Sequence, residues 1–192
     1  MRLDEKTIAA LREETLTSEL IYDGVIVHLY RDKARLPDGK EAVREVIRHV
    51  GAVCVVPVTE ENEVICVRQW RYPHAKVLLE IPAGKLDRRE EDRPSAALRE
   101  LREETGARCA TLTSLGKIYT TPAFVDEDID MYLAEGLTFG ECDLDEDEFL
   151  DVVRIPLEEL VDMILAGQVP DAKTQAAVLK VWALKQREGQ KC

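Results

Sequence analysis

Residues 51–58 read GAVCVVPV and residues 63–72 read EVICVRQWRY. Both are short apolar runs rich in β-branched side chains, and runs of that length read as strands. Thr59, Glu60, Glu61 and Asn62 between them read as the turn of a hairpin. KVLLEIPAG follows as one strand ending at Gly84. Upstream, ELIYDGVIVHLYRDKARL and EAVREVIRHV read as strands on either side of Pro37-Asp38-Gly39. Proline fixes φ and Asp-Gly tolerates positive φ, which makes that tripeptide a turn. Before them, residues 3–14 have the pattern of a short, weak helix. At residues 94–105 the pattern becomes helical. Ala97, Leu98 and Leu101 supply an apolar side, Pro94 suits a first turn and Gly106 a C-terminal cap. SLGKIYTTPAF and DIDMYLAEGL are further strands, and ECDLDEDE is an acidic loop. Two helices close the chain. One runs from Pro156 to Ala166 and stops at Gly167. The other runs from a capping Asp171 to near Arg187, with Ala176, Ala177, Val181, Trp182 and Leu184 apolar. No repeat or Gly/Ser linker interrupts this order, which predicts one α/β unit with an N-terminal strand appendage.

A chain of 192 residues is one ordinary domain, or one with an appendage. Its apolar content sustains a core, and no apolar run approaches the roughly 20 residues that span a bilayer. The N-terminus, MRLDEKTIAALREE, lacks the basic-then-apolar layout of a secretory signal, so a cytoplasmic protein without membrane attachment is expected. The net charge of −12 repels nucleic-acid backbones and argues against a DNA- or RNA-binding module. An anionic substrate would need local positive charge or a metal. The five cysteines form no CxxC pair and are odd in number, which disfavours a disulfide framework or zinc site. Cys54 and Cys66 read as small core residues. His28, His49 and His74 are scattered and suggest no nucleophile pair.

The chemistry lies in residues 84–107, GKLDRREEDRPSAALRELREETGA. Glu100 and Glu104 are four apart, so a helix projects them from one face about 6 Å apart. Like charges at that spacing are destabilising unless something neutralises them, and a divalent cation does so. Mg²⁺ takes carboxylate and carbonyl oxygens while keeping several waters. Glu103, one residue round, can share the site or hold Arg99. Ala83-Gly84 ends the preceding strand, where a glycine lets backbone approach a ligand closely. Taken alone, the two glutamates would equally suit a solvated acidic helix face. Arg68 and Arg71 end a strand aimed toward this segment, suited to binding phosphates or a base, or simply to balancing an acidic surface.

The segment resembles the Nudix box, G-x5-E-x7-R-E-U-x-E-E-x-G-U with U aliphatic. Arg99-Glu100-Leu101-Arg102-Glu103-Glu104-Thr105-Gly106-Ala107 matches its second half at every defined position. The loop holds one extra residue: Glu90 keeps the spacing from Gly84, whereas Glu91 keeps the spacing into the helix. Arg89 stands where relatives commonly have a turn glycine. Glu91 is preferred, because spacing into a rigid helix constrains geometry more than loop length does. The flanks VRQWRYP, LLEIPAGKLD and TPAFVDE are similar to the ADP-ribose pyrophosphatase branch, and Pro122 lies 16 residues after Gly106, near that branch's characteristic proline. The resemblance extends from about Ser18 to Leu184.

That resemblance implies a Nudix fold, a mixed sheet between helices in an α/β/α arrangement. Residues 1–48 would be an antiparallel strand appendage crossing to the partner of a homodimer, and residues 49–192 the hydrolase domain. It implies Mg²⁺, with Mn²⁺ as a substitute, on the Ala83 carbonyl, Glu100, Glu104 and Glu148. Glu146 would deprotonate the attacking water, Arg99 and Glu103 would support catalysis, and Arg71, Arg68 and Gly84 would contact substrate. Asp145 and Asp147 are the competing choices in the acidic loop. The implied reaction is hydrolysis of a diphosphate joining a nucleoside to another group, with ADP-ribose giving AMP and ribose 5-phosphate. Other nucleotide sugars such as GDP-mannose and oxidised nucleotides are the alternatives. A non-catalytic binding module would be expected to have lost a helix carboxylate, and this chain has lost none.

Overall fold

The computed structural model describes residues 4–140, 142 and 149–189. These form two compact units, residues 4–49 with 121–127, and the described residues of 50–120 with those from 128 onward.

The first unit begins with a short helix, α1 (Glu5–Leu11), capped by the Asp4 carboxylate, which accepts from the Thr7 amide at 2.7 Å. Three antiparallel strands follow, β1 (Glu14–Asp23), β2 (His28–Arg35) and β3 (Glu41–Arg48), in the order β1-β2-β3. The stretch read as one strand upstream of Pro37 is therefore a hairpin. The Gly24 amide donates to the Val27 carbonyl at 2.9 Å, and the turn escapes notice because the residues after Gly24 are apolar. Residues 121–127 join this unit through a bridge of Val125 to Ile47.

The second unit holds two sheets. β4 (Ala52–Pro57), β7 (Ala83–Lys85), β8 (Ala107–Tyr119) and β9 (Asp128–Phe139) form one in the order β7-β4-β9-β8, with β4 and β9 parallel and the other pairs antiparallel. β5 (Glu63–Arg71), β6 (Lys76–Glu80) and β10 (Leu150–Pro156) form the other in the order β10-β5-β6. The helices are α2 (Arg93–Thr105), α3 (Leu157–Leu165) and α4 (Ala172–Gly189).

β4 explains the layering. All six of its positions are buried, so it needs cover on both faces. Successive strand side chains point to opposite faces. Ala52, Cys54 and Val56 join one cluster with Ile129, Met131 and Leu133 of β9, Cys66 of β5 and residues of α3 and α4. Val53 and Val55 join another with Tyr132 and Ala134 of β9 and Ala97 and Leu101 of α2. The four-stranded mixed sheet thus lies between α2 on one face and the second sheet with α3 and α4 on the other, the expected α/β architecture. Cys54 and Cys66 are core residues, and burial pushes both thiols up to about 12.

Three strand readings are corrected. The turn at Thr59–Asn62 exists, with the Thr59 amide donating to the Glu63 carbonyl, but β4 and β5 then diverge into different sheets. A fully buried strand needs a partner on each edge and cover on each face, which a simple hairpin cannot give. The single strand over 76–84 breaks at Ile81-Pro82, and its two halves pair with β5 and β4 respectively. Pro82 has no N–H for a ladder, so it marks where the chain changes sheet. The strand expected from Ser114 to Phe124 instead begins at Ala107 and ends at Tyr119, short of Pro122. The pattern also missed β10, most of whose positions are exposed, and it set α1 two to three residues too long at each end.

Candidate active site

α2 is fixed at both ends. The Asp92 carboxylate accepts from the Ser95 amide at 3.1 Å, Pro94 occupies the first turn, and Gly106 at φ 68° closes the helix with its amide on the Arg102 carbonyl. A left-handed residue there favours glycine. Arg93, at the helix start, lies 2.9 Å from Asp128 and 2.7 Å from Asp130 of β9, and Lys117 of β8 reaches the same two carboxylates. Burial opposes the Asp128 charge, but Lys117 and Arg93 hold its carboxyl below the ordinary range. This cluster ties the start of α2 to the sheet. Sequence reasoning passed it over, although aspartates alternating with Ile129 and Met131 were a visible signal.

The inward face of α2 presents Glu100, 8% exposed, and Glu104, 4% exposed. Charged residues are almost never this buried unless something compensates them. Both meet the end of β7. The Ala83 amide donates to Glu104 at 3.3 Å. A Cβ on Gly84 would lie 2.1 Å from the Glu100 carboxyl carbon, so only glycine leaves the carboxylate room. The spacing seen in the sequence has therefore put two carboxylates against the Ala83-Gly84 strand end.

Arg99 stands beside them. Its Nη1 is 2.8 Å from Glu100 and 3.0 Å from Glu103, and its Nη2 is 3.6 Å from Glu91. Burial works against the Arg99 charge, but Glu100, Glu103 and Glu91 outweigh it and raise the guanidinium above its ordinary value. Glu103 also lies 3.3 Å from Arg102. Glu91 accepts from the Asp87 amide at 2.7 Å and closes the loop, while Glu90 is exposed. Of the two loop glutamates, Glu91 is the one brought to Arg99, despite the inserted residue.

The two candidate arginines of β5 part company. Three positions apart, they point to opposite faces of the strand. Arg68 is exposed and paired at 2.5 Å with Asp151, its cross-strand neighbour on β10. Arg71 donates through Nε and Nη2 to the two oxygens of Glu80, at 2.6 and 2.7 Å. Glu80 raises the Arg71 guanidinium above its ordinary value against the opposing effect of burial, with smaller contributions from Asp171 and Glu104. Arg71 is thus within electrostatic reach of Glu104.

Glu146 and Glu148, with their alternatives Asp145 and Asp147, lie outside the described residues. Among the described residues no three His, Cys, Asp or Glu side chains group closely enough to hold a metal ion. The chemistry of the donors nevertheless fits a hard divalent cation: two buried carboxylates one helical turn apart, facing a strand end whose glycine leaves them space.

Comparison with known proteins agrees with this geometry. Residues 48–178 match the NUDIX domain model, and residues 13–47 match the model of a nucleoside diphosphate sugar hydrolase N-terminal domain. Over 171 residues, covering 88% of this chain and 92% of the relative, the sequence is 43% identical to a Bacillus subtilis (strain 168) protein named ADP-ribose pyrophosphatase. It is 44% identical over 168 residues to a Bacillus methanolicus protein named methanol dehydrogenase activator, covering 86% of this chain and 90% of that one. A solved structure, a crystal structure of an ADP compounds hydrolase, superposes with a TM-score of 0.83 over 93% of this chain and 96% of that one. At 24% identity that last likeness speaks to the fold. With a NUDIX domain over most of its length and the helix carboxylates of the box in place, this chain belongs to the Nudix family and is a hydrolase.

Proposed function

We propose that this hydrolase splits the diphosphate bridge of ADP-ribose, with Mg²⁺ as its cation and Mn²⁺ as a substitute, releasing AMP and ribose 5-phosphate. The observation that carries the reading is the buried pair Glu100 and Glu104 packed against Ala83-Gly84. The substrate is supported by the identity to the Bacillus subtilis protein and by the match of residues 13–47. A cytoplasmic location goes with this reading.

Glu100, Glu104, the Ala83 carbonyl and Glu148 would hold the cation, which neutralises phosphate oxygens and lowers the pKa of the attacking water. Glu146 takes the proton as the water oxygen bonds to one phosphorus. The bridging P–O bond breaks, and the other half leaves as a phosphate monoester. Arg99 keeps Glu100, Glu103 and Glu91 together, and Gly84 allows close approach. Arg71 holds a substrate phosphate, while Arg68, on the other face of β5 and paired with Asp151, stays outside that contact. The direct test is removal of metal with a chelator. Hydrolysis of ADP-ribose should stop and return on adding Mg²⁺, and persistence in metal-free buffer would overturn the reading.

Glu146 and Glu148 should fail differently. Loss of a general base removes one limb of the pH–rate profile at every metal concentration. Loss of a ligand weakens metal binding, which excess metal offsets. Glu146→Gln is therefore expected to stay slow in high Mg²⁺ or Mn²⁺, and Glu148→Gln to recover. A larger defect in Asp145→Asn or Asp147→Asn would reassign the loop.

The reading also includes a homodimer, with residues 1–48 as the crossing appendage and 49–192 as the hydrolase domain. It is supported by apolar side chains exposed along β1, β3 and the turn between β1 and β2. Leu20, Tyr22, Ile26 and Val43 are all exposed, and Val25 is 93% exposed. Clustered exposed apolar residues mark interaction surfaces. Sedimentation at micromolar concentration should give twice the 21.7 kDa chain mass. A monomer, or full activity after deletion of residues 1–40, would count against it.

A further inference from the structure

Glu80 follows the apolar Val77, Leu78 and Leu79 at the end of β6 and is only 2% exposed. A carboxylate that deep must be paired. Both its oxygens receive the Arg71 guanidinium, and Lys173 Nζ donates to Oε2 as well. Lys173 is itself nearly buried and lies 3.0 Å from Asp171. Asp171 in turn caps α4, accepting from the Thr174 amide at 2.9 Å and its hydroxyl at 2.6 Å. The same hydroxyl accepts from the Ile81 amide at 3.0 Å. Two cations and two anions thus alternate across β5, β6 and the first turn of α4. Two residues beyond Ile81, the Ala83 amide meets Glu104. Burial opposes ionisation of Glu80, yet Arg71 and Lys173 keep its carboxyl below the ordinary range.

We propose that Lys173 is a positioning residue for the anionic substrate: by supplying the second cation to Glu80 and Asp171, it keeps the Arg71 guanidinium placed and positive in effect within reach of Glu104. This rests on the reading of Arg71 as a phosphate contact. The charge count gives the reason. With Lys173 present the four groups sum to zero, and the Nη1 edge of Arg71 remains for a substrate oxygen. With Lys173 neutral, two carboxylates share one guanidinium. The network then carries a net negative charge where Glu100 and Glu104 already repel an anion. Coulomb interactions across partly buried protein are large enough at such distances to change binding severalfold. The ion pairs of Lys173 are to Glu80 and Asp171, so the loss falls on substrate binding rather than on the chemical step.

The test compares Lys173→Met, Lys173→Gln and Lys173→Arg with Arg71→Ala, measuring kcat and KM for ADP-ribose, the Mg²⁺ activation constant and the salt dependence of KM. Lys173→Met is expected to raise KM about tenfold with kcat within about twofold of wild type and no loss of Mg²⁺ affinity. Its KM should respond less to added salt, and Lys173→Arg should restore wild-type behaviour. Lys173→Gln keeps a hydrogen-bond donor without the charge and should match Lys173→Met, so it serves if the methionine variant folds poorly. An unchanged KM in the neutral variants, a raised KM in Lys173→Arg, or equal losses in kcat and metal affinity would overturn the proposal. If Arg71→Ala raises KM while the neutral Lys173 variants do not, only this inference fails. If Arg71→Ala leaves KM unchanged, the phosphate-contact reading fails with it.

Discussion

Glu104→Gln should lower kcat by about 10²–10⁴ while leaving the fold intact. Glutamine keeps the shape of the side chain and can still accept from the Ala83 amide, so packing at the end of β7 persists. It removes one of the two buried charges proposed to hold the cation on the inward face of α2. The core around it rests on Ala96, Ala97 and Leu101, which the substitution does not touch. Thermal unfolding in metal-free buffer should therefore change little, and addition of Mg²⁺ should stabilise the variant less than the wild type, since a ligand stabilises by its affinity for the folded state. Turnover like the wild type would remove Glu104 from the metal assignment.

Gly84→Ala should cost about 10² in rate at ordinary metal concentration, with a small loss of stability. The new methyl would sit 2.1 Å from the Glu100 carboxylate, closer than atoms can approach. The obstacle is the far end of a flexible side chain, so Glu100 can swing away at a stability cost of about 1 kcal/mol. Moving it about 1 Å is enough to spoil a shared site, since misplacements of that size cost about 10²-fold. The defect should appear as a raised Mg²⁺ activation constant. A variant with normal rate and metal dependence would show that Glu100 is not needed where it stands.

How far the sequence could be read depended on whether the signal was local. The helix from Arg93 to Thr105 was legible because its cap, its proline, its apolar side and its closing glycine all lie within a few turns. The same local geometry brought Glu100 and Glu104 together. Strand existence was largely legible, but strand partnership was not. β4 and β5 have the same apolar character, and nothing in either run says that they belong to different sheets. The break at Pro82 was readable in principle, since a residue without an N–H is awkward inside a ladder. Glu80 and Lys173 were missed because their pairing joins positions 93 residues apart. The only local sign was a charge inside an apolar run. The choice between Glu90 and Glu91 turned on loop geometry, and the ion pair to Arg99 brings Glu91 to the helix.

The central claim is a metal-dependent attack on the diphosphate of ADP-ribose. The most direct measurement is kcat/KM with Mg²⁺ for ADP-ribose, GDP-mannose and an oxidised nucleoside diphosphate, with products identified by chromatography. ADP-ribose is expected to be the preferred substrate, yielding AMP and ribose 5-phosphate in equal amounts and no inorganic phosphate. Preference for either competitor, or release of inorganic phosphate in place of the two monoesters, would contradict the account.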